Sequence, residues 1–215
     1  MNTLIERFNK IKSNILSSKS PQEVKIIAVS KTFPSEKIMP LIEYGHLDFG
    51  ENKVQEAIDK WSDIKLNFPK IKLHLIGKLQ TNKVKFAVKI FDYIHSVDSE
   101  KLAKKIADEE IKINKKIKIF IQVNIGNEQQ KSGINKSQLQ DFYLFCKKIN
   151  LNIVGLMCIP PIDQDTISFF KEMQTLTNDL KLNELSMGMS SDYIEAARYS
   201  STFLRIGSGI FGQRG

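Results

Sequence analysis

One lysine lies where its chemistry would differ from that of a surface lysine. Lys31 directly follows VKIIAVS (24–30), a short β-branched run typical of a strand that is buried on both faces. Burial at a strand end disfavours the charged form of an amine and lowers its pKa. Lys31 is therefore a candidate nucleophile for Schiff-base formation, although most lysines in any chain lie on solvated faces.

Two turns rich in small residues lie near the end of the chain. The first is SMGMSSD (186–192), and the second is RIGSG (205–209). Each alone could be an ordinary helix-capping sequence, but two on neighbouring strands predict a site for a phosphorylated ligand. Arg205 alternates with the apolar Leu204 and Ile206, so it should point inward, where it needs a carboxylate or a ligand atom as partner.

The elements that must position these residues alternate between strand and helix. An amphipathic helix over 2–17 comes first, and strands are predicted over 24–30, 47–50, 72–76, 93–97, 118–123, 153–158, 184–187 and 202–206. Helices are predicted over 35–45, from the second strand to Trp61, and over 81–89, 99–112, 136–149, 165–180 and 191–198, and the last strand is followed by a short ending at 209–213.

Eight such units predict an α/β fold, a (β/α)8 TIM barrel with an extra N-terminal helix. The alternative, an open doubly wound sheet, should carry a glycine-rich turn after its first strand. That strand is instead followed by SKTFP (30–34), which has no glycine. No linker-like segment interrupts the sequence, so we expect residues 1–215 to form one domain, with residues 1–20 packing on the barrel as a helix.

Composition and charge exclude several classes of protein. The 215 residues are 41% hydrophobic and carry a net charge of +8, which would suit nucleic acid. Arginine, the residue that suits phosphate and base recognition, is rare, so no nucleic-acid partner is expected. No apolar run is long enough to span a membrane, no signal peptide is evident, and Cys146 and Cys158 suggest neither disulfides nor a metal site. We expect a cytoplasmic protein.

Six segments carry a resemblance to a known family. They are AVSKTFP (28–34), FGENKVQE (49–56), HLIGKLQTNK (74–83), GLMCIPP (155–161), LSMGMSSDYIEA (185–196) and RIGSGIFGQR (205–214). In this order they closely resemble the YggS/PROSC family of pyridoxal phosphate homeostasis proteins, whose barrel is similar to that of alanine racemase. The resemblance implies that pyridoxal 5′-phosphate (PLP) is the cofactor.

The resemblance also implies roles for particular residues. Lys31 would hold PLP as a Schiff base, and Arg205 would face the pyridine nitrogen. The phosphate would be held by Ser186 and the backbone at Gly207 and Ser208. Asn52 and Met157 would lie near the ring, and His74 would lie beneath or beside it. No metal ligand and no catalytic residue is implied.

The implied function is a carrier that buffers intracellular PLP and so influences amino-acid metabolism. Possible partners are amino acids and PLP-dependent apoenzymes, and a monomer is expected. The alternative is a weak PLP-dependent amino-acid racemase, which would need an acid/base group opposite Lys31. In alanine racemase this group is a tyrosine, which a C-terminal domain supplies, and a chain that ends at Gly215 is expected to lack that domain.

Overall fold

Eight parallel strands form a closed barrel in the order β1 to β8, and β1 pairs with β8 to close it. The computed structural model describes residues 3–161 and 164–213, so Arg214 lies outside the described residues. The predicted (β/α)8 barrel is confirmed. The strands are β1 (Lys25–Val29), β2 (Asp48–Glu51), β3 (Lys72–Leu75), β4 (Tyr93–Val97), β5 (Lys118–Val123), β6 (Asn152–Cys158), β7 (Glu184–Ser186) and β8 (Phe203–Ile206).

A helix precedes β1, and at least one helix follows each strand. The α-helices are α1 (Thr3–Ser17), α2 (Ser35–Glu43), α3 (Val54–Asn67), α4 (Val84–Ile90), α5 (Glu100–Ile113), α6 (Leu139–Lys148), α7 (Thr166–Asp179), α8 (Tyr193–Arg198) and α9 (Ser208–Phe211). Short 3-10 turns, Thr81–Lys83 and Lys136–Gln138, lead into α4 and α6. The buried face of α1 packs against α2, α8 and α9.

The predicted end of α3 near Trp61 is wrong by almost two turns. The helix continues to Asn67 because Ile64 extends the buried face that Ala57 and Trp61 begin. The other predicted elements differ from the observed ones by a few residues at their ends, where hydrogen bonding rather than hydrophobic pattern decides the boundary.

Alternate strand residues point into the barrel and the others face the helices, as period-two strands require. The side chains that point into the barrel include a small apolar cluster, formed by Ile27, Tyr93, Phe120, Met157 and Phe203. The larger apolar core lies between strands and helices. Across the described residues, Cys146 and Cys158 are free and buried, no acidic, histidine or cysteine cluster could hold a metal, and no helix is long and apolar enough to cross a membrane.

Candidate functional site

A cleft of about 390 Å³ opens at the carboxyl ends of the strands. It brings together five of the predicted site residues, namely Lys31, Asn52, Arg205, Gly207 and Ser208. The rest of its described lining consists of Val29, Ile76, Ile159, Met189, Ser190 and Ser191. The remaining three predicted residues, His74, Met157 and Ser186, do not line it and are fully buried below it.

A buried carboxylate fixes the backbone on which Lys31 stands. Glu51, at the end of β2, is fully buried, and its Oε1 accepts hydrogen bonds from the Ser30 hydroxyl (2.8 Å), Lys60 Nζ (2.9 Å) and Trp61 Nε1 (2.9 Å). Lys60 Nζ also donates to the Ser30 carbonyl at 2.9 Å. Both the side chain and the carbonyl of the residue before Lys31 are thereby tied to β2 and α3.

Asn52 lines the cleft and carries a buried polar atom without a partner in the described part of the chain. Its Oδ1 is buried and accepts no hydrogen bond from the described residues, although such an atom is costly to leave unpaired. The turn after β3 presses against the same residue, because a Cβ built on Gly77 would lie only 2.3 Å from the Asn52 carbonyl oxygen. Glycine at position 77 therefore lets the turn after β3 approach the Asn52 backbone this closely.

Arg205 is held by three neutral acceptors. Nη1 donates to the Ser186 carbonyl (2.7 Å) and the Ser186 hydroxyl (2.8 Å), and Nη2 donates to the Cys158 carbonyl (2.8 Å). Burial lowers the pKa of the guanidinium, which stays charged because its ordinary value is so high. Among the described residues, no carboxylate lies within ion-pair distance of it, and its Nε–H and second Nη2–H have no partner. The charge and these two donors are therefore available to a ligand in the cleft that Arg205 lines.

The two small-residue turns are joined directly. Ser190 Oγ accepts a hydrogen bond from the Gly209 N–H at 3.1 Å, and the Met189 N–H donates to Asp192 at 2.6 Å. Sequence reasoning chose Ser186 from the first turn and missed Ser190. The alternation along β7 was the available signal, since it turns Ser186 into the barrel, whereas Ser190 lies beyond the strand end and lines the cleft.

A line of polar side chains runs from Arg205 down through the barrel. We call it the polar row, and its members in order are Arg205, Ser186, His95, His74 and Asp48. His95 Nδ1 lies 3.0 Å from Ser186 Oγ, His74 Nδ1 lies 3.0 Å from His95 Nε2, and His74 Nε2 lies 3.0 Å from Asp48 Oδ1. Predicted residues His74 and Ser186 are therefore members of this row, and Met157 belongs to the apolar cluster that surrounds it.

Burial sets the charge states in and near the row. It lowers the pKa of His74 despite the opposing hydrogen bond from His74 to Asp48, and it lowers that of His95 strongly, helped by repulsion from Arg205 and from His74 when that ring is protonated. Burial alone would raise the pKa of Asp48, but the hydrogen bond that it accepts from His74, together with its attraction to that ring when protonated, outweighs burial and the pKa falls. Burial also lowers the pKa of His46, beside the row, to about 4. All three histidines are neutral at pH 7.

We expect stability to fall as pH drops below about 6.5, the pKa of an unfolded histidine. Below this pH the histidines of the unfolded chain bind protons, whereas those of the folded chain stay neutral because their pKa is lowered, and this difference favours unfolding. For His46 the loss between pH 7 and pH 4 is at most about 3 kcal/mol, since each pKa unit corresponds to about 1.4 kcal/mol. Urea unfolding from pH 7.5 to pH 4.5 measures it, and His46→Gln should flatten the dependence. A free energy of unfolding that stays constant over this range would contradict the prediction.

A family model described as alanine racemase, N-terminal domain, matches residues 7–215. The chain belongs to this family. It is 35% identical over 207 residues to the pyridoxal phosphate homeostasis protein of Vibrio alginolyticus, an alignment that covers 91% of this chain and 89% of that protein. The resemblance seen in the sequence motifs is confirmed.

Solved structures show the same relationship. PipY of Synechococcus elongatus, solved with PLP bound, is 34% identical and superposes with a TM-score of 0.87 over 97% of this chain and 100% of that one. Alanine racemase of Clostridium difficile is only 15% identical, with a TM-score of 0.76 over 100% of this chain and 57% of its own. That second likeness shows the shared barrel fold alone.

Proposed function

We propose that this protein binds PLP in the cleft and takes part in intracellular PLP homeostasis, holding the cofactor as a Schiff base on Lys31. The observation that carries the proposal is the convergence of Lys31, the uncompensated cation Arg205 and two joined small-residue turns on one cleft. Relatives named pyridoxal phosphate homeostasis proteins and a PLP-bound neighbour of the same fold support it.

The residues present fit this cofactor. Lys31 Nζ would attack the aldehyde carbon, with loss of water, to form the C=N bond. Ser190, Ser208 and the backbone at Gly207 would hold the phosphate in the two joined turns. In this proposal Ser186 supports Arg205 instead of contacting the phosphate, because Arg205 and His95 already engage its hydroxyl.

Arg205 determines what the bound cofactor can do. When bound, PLP supplies an electron sink whose strength depends on protonation of its ring nitrogen. A guanidinium can only donate hydrogen bonds, so an Arg205 N–H directed at that nitrogen favours its unprotonated form and a weak sink. This favours storage and release of the cofactor over efficient chemistry on amino acids.

A PLP-dependent amino-acid racemase is the alternative, and it needs proton donors on both faces of the substrate. Among the described residues that line the cleft, Lys31 and Arg205 are the only ionisable side chains, and Arg205 does not exchange its proton near neutral pH. We infer a non-enzymatic carrier: a cytoplasmic monomer that exchanges PLP with apoenzymes.

The test has two stages. Purified protein is incubated with PLP, reduced with borohydride and mapped by peptide mass spectrometry, and we expect the pyridoxyl group on Lys31. An unmodified Lys31 would overturn the proposal. Loaded protein is then incubated with L-alanine in D2O, where a carrier should show no exchange at Cα beyond that of free PLP. Rapid exchange that depends on Lys31 would favour the racemase.

A further inference from the structure

The polar row connects the cleft to the opposite end of the barrel. Arg205 lies at its upper end in the cleft, and Asp48, the first residue of β2, lies at its lower end. Asp48 also lines a separate cavity of about 300 Å³ beside α1, so this end of the row reaches the surface. Every neighbouring pair in the row is within hydrogen-bond distance.

The two ends of the row leave only one direction for its hydrogen bonds. Arg205 can only donate, and an ionised Asp48 can only accept. Asp48 fixes the order of donors. Neutral His74 carries its proton on Nε2 and donates to Asp48, because the opposite tautomer would set a lone pair against the carboxylate. Its Nδ1 is then an acceptor, so His95 carries its proton on Nε2 and donates to it. His95 Nδ1 is in turn an acceptor, and the Ser186 hydroxyl, which accepts from Arg205, donates its proton there.

Ring stacking holds both imidazoles in the orientation that this pattern requires. His74 stacks on Tyr93 with ring centroids 4.2 Å apart and planes 13° apart, and His95 stacks on Phe120 at 4.2 Å and 15°. Stacking fixes the ring planes, and a half-turn that keeps the plane would replace both hydrogen-bonding nitrogens by carbons, so a change at one end of the row is passed on as a change of tautomer rather than absorbed by rotation.

We propose that His95, His74 and Asp48 are positioning residues: Asp48 sets one tautomer in both histidines, and this keeps the Ser186 hydroxyl turned toward Arg205 as an acceptor. The guanidinium is thereby held in place for the ligand in the cleft. The tautomer pattern stands on the geometry of the row alone, whereas its effect on PLP rests on the proposed function.

The first test needs no ligand. Nitrogen-15 NMR of the imidazole rings reports which nitrogen carries the proton, and the sequence has only three histidines, so His46→Gln identifies the His46 signals and leaves those of the two row histidines, for which the same tautomer is expected. We expect Nε2–H for both His74 and His95. In Asp48→Asn the terminal group can donate as well as accept, and we expect the Nδ1–H form to appear in both rings. Nδ1–H in the wild type, or a variant with unchanged tautomers, would overturn the proposal.

The second test reads the cofactor. Asp48→Asn should weaken PLP binding about 2- to 10-fold, the range of one net hydrogen bond, and shift the visible absorption band. His46→Gln is the matched control, because His46 Nε2 bonds the Asp48 carbonyl rather than its carboxylate, and it should leave both unchanged. If wild-type protein does not attach PLP to Lys31, the proposed function fails while the tautomer result stands. If it does, and Asp48→Asn behaves like wild type, the positioning role is wrong.

Discussion

Lys31→Ala is expected to abolish the borohydride-trapped pyridoxyl adduct and to weaken PLP binding by at least about 100-fold, or roughly 2.7 kcal/mol. Lys31 lines the cleft, and no other lysine does so among the described residues. The variant keeps the phosphate turns and Arg205, so residual binding should be non-covalent. Mass spectrometry after reduction and titration of the visible absorption measure the two effects.

Lys78→Ala is the matched control for this experiment. Lys78 follows β3 at the same end of the barrel but is exposed and does not line the cleft. We expect it to bind PLP and form the adduct as the wild type does. Equal adduct formation by Lys31→Ala and wild type would show that another amine holds the cofactor and would contradict the assignment.

Glu51→Ala is expected to cost about 3–5 kcal/mol of stability, the range for breaking a buried ion pair. The Lys60 ammonium would lose its carboxylate, and the buried Trp61 N–H would lose its acceptor. Ser30 would also be released, so the backbone that carries Lys31 should loosen and PLP binding should weaken. Urea unfolding at pH 7 and PLP titration test the two consequences.

One variant separates the hydrogen bonds of Glu51 from its negative charge, and a second removes an exposed ion pair as a control. Glu51→Gln keeps an acceptor for Trp61 and Ser30 while removing the charge, and we expect about half the loss of Glu51→Ala. Glu56→Ala removes an exposed ion pair with Lys53 and should change stability by less than about 0.5 kcal/mol. A Glu51→Ala loss as small as that of Glu56→Ala would show that the buried cluster contributes little.

Much of the barrel follows from local pattern. Each strand is a short apolar run and each helix has one apolar face, so their alternation could be read along the chain, and right-handed crossovers then allow few arrangements. The site followed for the same reason. Residues at the carboxyl ends of parallel strands meet at one end of the barrel, which is why Lys31 and the two small-residue turns fall on one cleft; Asn52 was grouped with them by the family resemblance.

Other features had no local signature. The Glu51 cluster joins residues that are 9, 10 and 21 positions away, and the polar row spans five strands, so neither forms a pattern that one segment displays. The interior histidines show the difficulty well, because a histidine within a strand reads as a core residue until its partners are known.

The amino-acid sequence by itself determined the barrel, its N-terminal helix, the cleft lysine and arginine, and the family to which the chain belongs. Only the tertiary structure decided that Ser186 faces Arg205 and His95 rather than the cleft, that Ser190 joins the two turns, and that Asp48 and Arg205 end one hydrogen-bonded row. The physical reason is that periodicity is a property of one segment, whereas hydrogen-bond partners depend on how strands align around the closed barrel.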